Sequence, residues 1–249
     1  MKRILAYVFA LSLMMLLALG AVASPKIVDS QPQVIIAAKA PADIKIDGDL
    51  SEWRELIPLN HELIPDWYAG NLREWTPGVP VTDKADWSGA FAFAWDENYL
   101  YFAGLVNDNV YIAGWNDESN CPRGNKFRIY IDAKGTHNPT PSSWQYIILV
   151  NPEGLGMLPM NAGEEDKCKL PEGTKVAAKR DGADWTLEFA IPKAALESVN
   201  LAPGSILGAE IIMDDFDSED GGRTHCLAYF GGANPWVNAE NWGEVKLVE

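Results

Sequence analysis

Apolar and polar positions alternate with a period of two along much of the chain. The clearest run is Asp184–Ile191, where Trp185, Leu187, Phe189 and Ile191 alternate with Thr186, Glu188 and Ala190. That spacing predicts a strand with one face buried. Gln33–Ala38, Phe127–Asp132, Trp144–Val150, Lys175–Lys179, Ile206–Met213, Thr224–Phe230 and Glu244–Val248 read as further strands of high β propensity. Ala90–Trp95 and Tyr99–Val106 flank Asp96-Glu97-Asn98 and predict a hairpin. Helical signals are short: Leu50–Glu55 behind Asp49, and Lys193–Val199 behind Pro192. Many strands punctuated by Gly, Pro and Asn, with no strand–helix alternation, predict an all-β, antiparallel β-sandwich of jelly-roll type. The segment Pro58–Asp86, with Trp67, Tyr68 and Trp75, is long for a connection and is expected to be functional or packed on the sandwich.

The N-terminus changes the compartment. Lys2 and Arg3 precede the apolar run Ile4–Leu19 and then Ala21-Val22-Ala23. This is the pattern of a secretory signal cleaved after residue 23, and the run is short for a bilayer span. Residues 24–39 then form an N-terminal segment and 40–249 one domain, expected outside the cell or in the periplasm. The chain carries a formal net charge of −15, a field that repels nucleic-acid phosphates and anionic lipid. An oxidising compartment allows one intramolecular disulfide among Cys121, Cys168 and Cys226. Cys121 and Cys168 lie in polar loops and Cys226 in a predicted strand. This favours a Cys121–Cys168 bridge, with the other connectivities open.

Several motifs follow one another in a familiar order. Ile46-Asp47-Gly48-Asp49 precedes Glu52-Trp53; Trp95-Asp96-Glu97-Asn98-Tyr99-Leu100-Tyr101 leads to Val106-Asn107-Asp108. Phe127–Asp132 ends in I-x-I-D, and Glu188-Phe189-Ala190-Ile191-Pro192 reads E-x-x-I-P. Leu207-Gly208 runs to Asp214-Asp215, and Trp236 precedes Trp242-Gly243-Glu244-Val245. In order and spacing, residues 40–249 resemble the family-9 carbohydrate-binding modules, a group of β-sandwiches. Independently of that likeness, Trp53, Trp95, Trp185 and Trp242 sit in or beside predicted strands and are expected in the core.

The resemblance implies a secreted, non-catalytic protein that holds a glucan- or xylan-type saccharide between two tryptophan faces. A pyranose packs its C–H face on flat aromatic surface, and polar side chains read its hydroxyls. Trp236 and Trp115 are the implied platforms, with Asn234 and Arg128 as polar readers and Trp144 as further stacking surface. Three positions depart from the family: Arg128 stands where it has an acidic contact, Ile147 where it has arginine, and Ile212 where it has glutamine. A separate secreted enzyme acting on xylan or cellulose, or a cell-envelope assembly, is the expected protein partner.

Metals and catalysis complete the expectations. The acidic run Asp214–Gly221 partly resembles a calcium loop, with Asp214, Asp215, Asp217 and Glu219 as candidate ligands of a structural calcium. A rival reading is a haem domain of the same sandwich superfamily, with Met157 and Met160 near Lys167 and Lys169, or Met213 with His225, as iron ligands. His61, His137 and His225 have no zinc-ligand spacing, and no nucleophile motif is present. No catalytic residue is therefore assigned.

Overall fold

Alternation in the sequence becomes alternation across two sheets. The computed structural model describes residues 34–56, 85–114, 124–162, 168–219, 221–230 and 235–249. Residues 1–23 and all but the last two residues of the Pro58–Asp86 insertion lie outside them. The strands are β1 (Val34–Lys39), β2 (Trp87–Trp95), β3 (Tyr99–Asp108), β4 (Lys126–Asp132), β5 (Gln145–Asn151) and β6 (Gly154–Pro159). They continue with β7 (Lys175–Asp181), β8 (Asp184–Pro192), β9 (Ile206–Asp214), β10 (Cys226–Ala228) and β11 (Gly243–Leu247). Among the described residues, one helix, α1 (Ser51–Leu56), and one 3-10 turn, Lys193–Ala195, accompany them.

One sheet runs β6-β5-β4-β9-β11-β1, with β10 added beside β9; the other runs β1-β2-β3-β8-β7. β1 belongs to both. Val34–Ala37 pair in parallel with β11, and Ala38–Lys39 in parallel with β2. All other strand pairs are antiparallel. The expected antiparallel sandwich therefore holds, with one parallel strand as the corner that joins its layers.

The inner faces meet in an aromatic core. Phe102 stacks on Phe91 and on Phe189, with centroids 6.0 and 5.1 Å apart, and meets Phe127 of the opposite sheet edge-on at 5.3 Å. Trp87, Trp95 and Trp185 are buried around it. Each large apolar side chain buried this way contributes about 1.5–3 kcal/mol. Met157, Met160 and Met213 pack into the same core. Thioethers packed this way do not favour the haem reading; Lys167, one of its proposed ligands, lies outside the described residues.

The second sheet is also covered on its outer face. Ala90, Ala92 and Ala94 of β2 and Ala103 of β3 are small, so α1 can lay Trp53 directly on the sheet. Glu188 of β8 is wholly buried there. It accepts the Trp53 indole N–H at 2.6 Å and the Gly48 and Asp47 amides at 2.7 and 3.1 Å. Gly48 needs its left-handed backbone (φ 81°), and a Cβ there would meet Ala178 of β7 at 2.8 Å. Three of the sequence motifs thus converge on one carboxylate.

Three elements differ from expectation, the first being the helix expected over Lys193–Val199, which is only the 3-10 turn Lys193–Ala195. β6 was not anticipated, because Gly154, Gly156 and Pro159 dilute its β pattern; Asn151 turns the chain by accepting the Glu153 amide at 2.9 Å. β10 is shorter than Thr224–Phe230, because Phe230 turns its N–H to Glu210 Oε1 at 3.0 Å. Replacing Glu188 by Ala would strand two buried donors and one part-buried donor, a loss on the order of 3 kcal/mol. Urea denaturation should show that drop, with Glu188→Gln retaining most of the stability.

Candidate functional site

The outward face of the first sheet carries the family's departures. One cross-strand row reads Gly156, Leu149, Arg128, Ile212 and Ala228, each directly opposite the next. Leu149 and Ile212 are buried, and Arg128 is partly exposed. Gly156 is small for a reason: a Cβ would stand 2.7 Å from Cys168 Cβ, so a half-cystine caps that end of the row. Tyr130 lies in the neighbouring row with its ring 5.5 Å from Trp242. The floor is apolar with one guanidinium set in it.

At the β9 end of this face stands Asp214. Arg128 Nη2 donates to its Oδ1 at 2.8 Å, and Arg128 Nε lies 2.7 Å from Oδ2 as an ion-pair contact. Arg223 Nη1 reaches Oδ1 at 2.8 Å and Lys126 Nζ lies 3.1 Å from Oδ2. The buried thiol of Cys226 donates to Oδ1 at 3.0 Å. Burial alone would raise this carboxyl; Arg128, Lys126 and Arg223 together hold it well below the usual carboxylate range.

Asp215 is the next residue, and an extended chain sends it the other way. Its Oδ1 accepts from Asn125 Nδ2 at 3.1 Å, and the same amide donates to Asp108 Oδ2 at 2.6 Å. Asp215 Oδ2 is buried with no hydrogen-bond partner. Burial, then Asp217, Asp108 and Asp86, push Asp215 up to about 8. Burial pushes Asp108 up to about 7, against the Val110 N–H and the Asn125 amide, which pull it down. Two adjacent aspartates thus have opposite charge states near neutrality.

The candidate calcium ligands divide between two faces, with Asp217 close to Asp215 and not to the cations around Asp214. Both oxygens of Asp214 are taken by cations, and Asp215 points to the opposite face. Among the described residues no group of three or more His, Cys, Asp or Glu side chains is placed to hold a metal ion. Asp214, with both oxygens on cations, does not fit a calcium ligand in this arrangement.

Of the expected saccharide contacts, Trp115 and Asn234 lie outside the described residues. Trp236 is half-buried against the core, in the segment that also places Trp242 over Tyr130. Trp144 is not brought to Arg128. Its carbonyl pairs with the Ala133 amide, five positions along β4 and its continuation, or roughly 16 Å at strand spacing. There Lys134 Nζ sits 3.6 Å over its ring, and its indole donates to Thr136 Oγ1 at 3.3 Å. That turn is built by buried Asp132, which accepts the Lys134, Thr136 and His137 amides. Cys168 is disulfide-bonded and Cys226 is a buried thiol, while Cys121 lies outside the described residues. Sequence reasoning missed Lys126 and Arg223. Lys126 was legible as the residue two before Arg128, hence on its face; Arg223 reaches Asp214 only through the β9–β10 turn.

The pH response follows from the raised carboxyls. Asp215 binds its proton more tightly folded than unfolded, so its contribution to stability is full below 3.8 and is lost as pH rises toward about 8. Asp215→Asn removes that titration. The variant's thermal midpoint should fall less than wild type between acid and pH 8, as read by scanning calorimetry.

Comparison with known proteins completes the site. The family model described as carbohydrate family 9 binding domain-like matches residues 73–249. No curated protein matches the chain. A family-9 carbohydrate-binding module from Caldicellulosiruptor kristjanssonii, solved with cellotriose, is similar in fold at a TM-score of 0.61 and 19% identity, over 86% of this chain and 93% of that one. The same organism's module solved with glucose gives a TM-score of 0.61 and 19% identity, over 86% and 95%. With more than half its residues matched by the family model, the chain belongs to the carbohydrate family 9 binding domain-like family.

Proposed function

We propose that this chain is a secreted, non-catalytic carbohydrate-binding protein whose ligand rests on the outward face of β4, β5 and β9. The observation that carries the reading is the family-9 match, with partly exposed Arg128 and half-buried Trp236 beside the outward face of this sheet. Aromatic surface accepts the C–H face of a sugar ring, and a guanidinium offers N–H donors to its oxygens. Trp236 stands in the segment that covers the neighbouring row and is the aromatic wall in this reading; Trp115 is its proposed counterpart. The solved relatives hold cellotriose and glucose, which makes short glucans the first class to try. Export rests on the Lys2–Ala23 pattern, and N-terminal sequencing of the protein from a native culture fluid or periplasm would test it by finding residue 24 first.

The binding test is a titration of the exported form with soluble glucans, xylans and their oligosaccharides, read by tryptophan fluorescence. Saturable quenching is expected, weakened at least about tenfold by Trp236→Ala, roughly the loss of one well-packed aromatic contact. A flat response to every saccharide, or binding untouched by Trp236→Ala and Trp115→Ala, would overturn it.

A further inference from the structure

Among the described tryptophans, Trp53, Trp87, Trp95, Trp185 and Trp242 are buried, and Trp144 and Trp236 are not. Trp236 belongs to the saccharide face already described. Trp144 stands apart from it, where the Ala133 amide donates to the Trp144 carbonyl at 2.9 Å. The opposite end of β4 is Lys126, paired in register with Asp214. From Lys126 to Ala133 the strand direction covers roughly 23 Å, so Trp144 and the Asp214 cluster occupy opposite ends of the sandwich. Trp144 is partly buried against the core, and the Lys134 ammonium sits 3.6 Å over its ring. Lys134 is itself exposed. A cation over a ring at an exposed site is held weakly, so this flexible side chain can swing away and open the ring face beneath it.

The turn holds this ring still. The Trp144 indole donates to Thr136 Oγ1 at 3.3 Å. Buried Asp132 accepts the Lys134, Thr136 and His137 amides at 3.0, 3.1 and 2.8 Å, and the Thr136 hydroxyl at 3.1 Å. Gln145 Nε2 lies 3.3 Å from Asp132 Oδ2 and 3.0 Å from the Asn138 carbonyl. His137 is held left-handed at φ 50°, a strain that persists where the surroundings over-determine it and that clusters at ligand-binding positions. An aromatic ring fixed in advance loses little freedom when a ligand arrives. The ammonium beside it brings three N–H donors for hydroxyl oxygens. An apolar ring face with convergent donors is the chemistry that reads a sugar unit. We infer that Trp144 and Lys134 form a second saccharide platform, separate from the face of β4, β5 and β9, which stacks one unit of a neutral glycan. With a single aromatic wall it is the weaker of the two sites. Its effect is to hold a second stretch of polysaccharide, so that long chains are retained more firmly than short ones. The inference rests on the carbohydrate-binding reading and adds a separate contact to it.

Site-resolved NMR of the exported protein tests it. The indole N–H signals are assigned with Trp144→Phe and Trp236→Phe and followed as cellotriose or xylotriose is added. The Trp144 signal should shift saturably, at higher ligand concentration than the Trp236 signal, and should still shift in Trp236→Ala. Lys134→Ala, a change at an exposed position, should weaken the Trp144 curve about two- to fivefold, the weight of one exposed contact of this kind. It should leave the Trp236 curve where it was. Trp144→Ala should lower retention on a long glucan at least about tenfold, with trisaccharide affinity at the first site unchanged. If Trp144→Ala fails to fold, Lys134→Ala carries the retention comparison. A Trp144 signal that stays still while the Trp236 signal saturates overturns the inference and leaves carbohydrate binding standing. A Trp144 curve indifferent to Lys134→Ala, or retention untouched by Trp144→Ala, also overturns it. No shift of either signal with any glucan or xylan oligosaccharide removes both the inference and the reading beneath it.

Discussion

The fold depends on the burial of two sheet faces against each other, centred on Phe102. That ring sits between Phe91 and Phe189 on its own sheet and meets Phe127 across the interface. An aromatic core of this density leaves little tolerance for slippage, because a one-residue shift in register would exchange every inward ring for an outward alanine or charge. β1 depends on the same constraint. Pairing in parallel with both β11 and β2, it joins the two layers without leaving either edge open at that corner.

Once register is set, polar chemistry is distributed by parity. β9 places Met213 in the core and Asp214 on the outer face; Asp215 then turns back to Asn125 and Asp108. The two aspartates differ by one position in sequence and in almost everything electrostatic. One is surrounded by cations and stays charged; the other is desolvated among carboxyls and holds its proton. Glu188 shows a third solution, a buried carboxylate satisfied by an indole and two amides. In each case the partners, not the residue type, decide the state.

The outward face of β4, β5 and β9 is less polar than the family resemblance implies. Arg128, Ile147 and Ile212 replace positions that the family resemblance marks as polar readers. Arg128 finds its partner in Asp214, and Ile212 becomes buried floor. The substitutions are coupled: an arginine in β4 requires an acid across the ladder, and Asp214 lies diagonally opposite it, beside Lys126. The β9–β10 turn then adds Arg223.

Much of this was legible in the chain itself. Alternation in β2, β3, β4, β8 and β9 is a local property, enforced by the pleat, so the sandwich and its core tryptophans could be read directly. The order of motifs from Ile46 to Val245 pointed to the family for the same reason. β6 was invisible because glycine and proline erase the pattern that pairing with β5 restores. The failure of Trp144 to join Arg128 was equally hidden, since it depends on how Asp132 closes one turn. The acidic run after β9 suggested a metal loop by composition, yet Asp214 and Asp215 went to opposite faces and found opposite partners. A strand's pattern is written in neighbours two residues apart; the charge of a site is written by residues that meet only after three strands and a turn have folded. That is why sequence determined the framework here, and tertiary structure alone decided which carboxylates are ionised and what the face can hold.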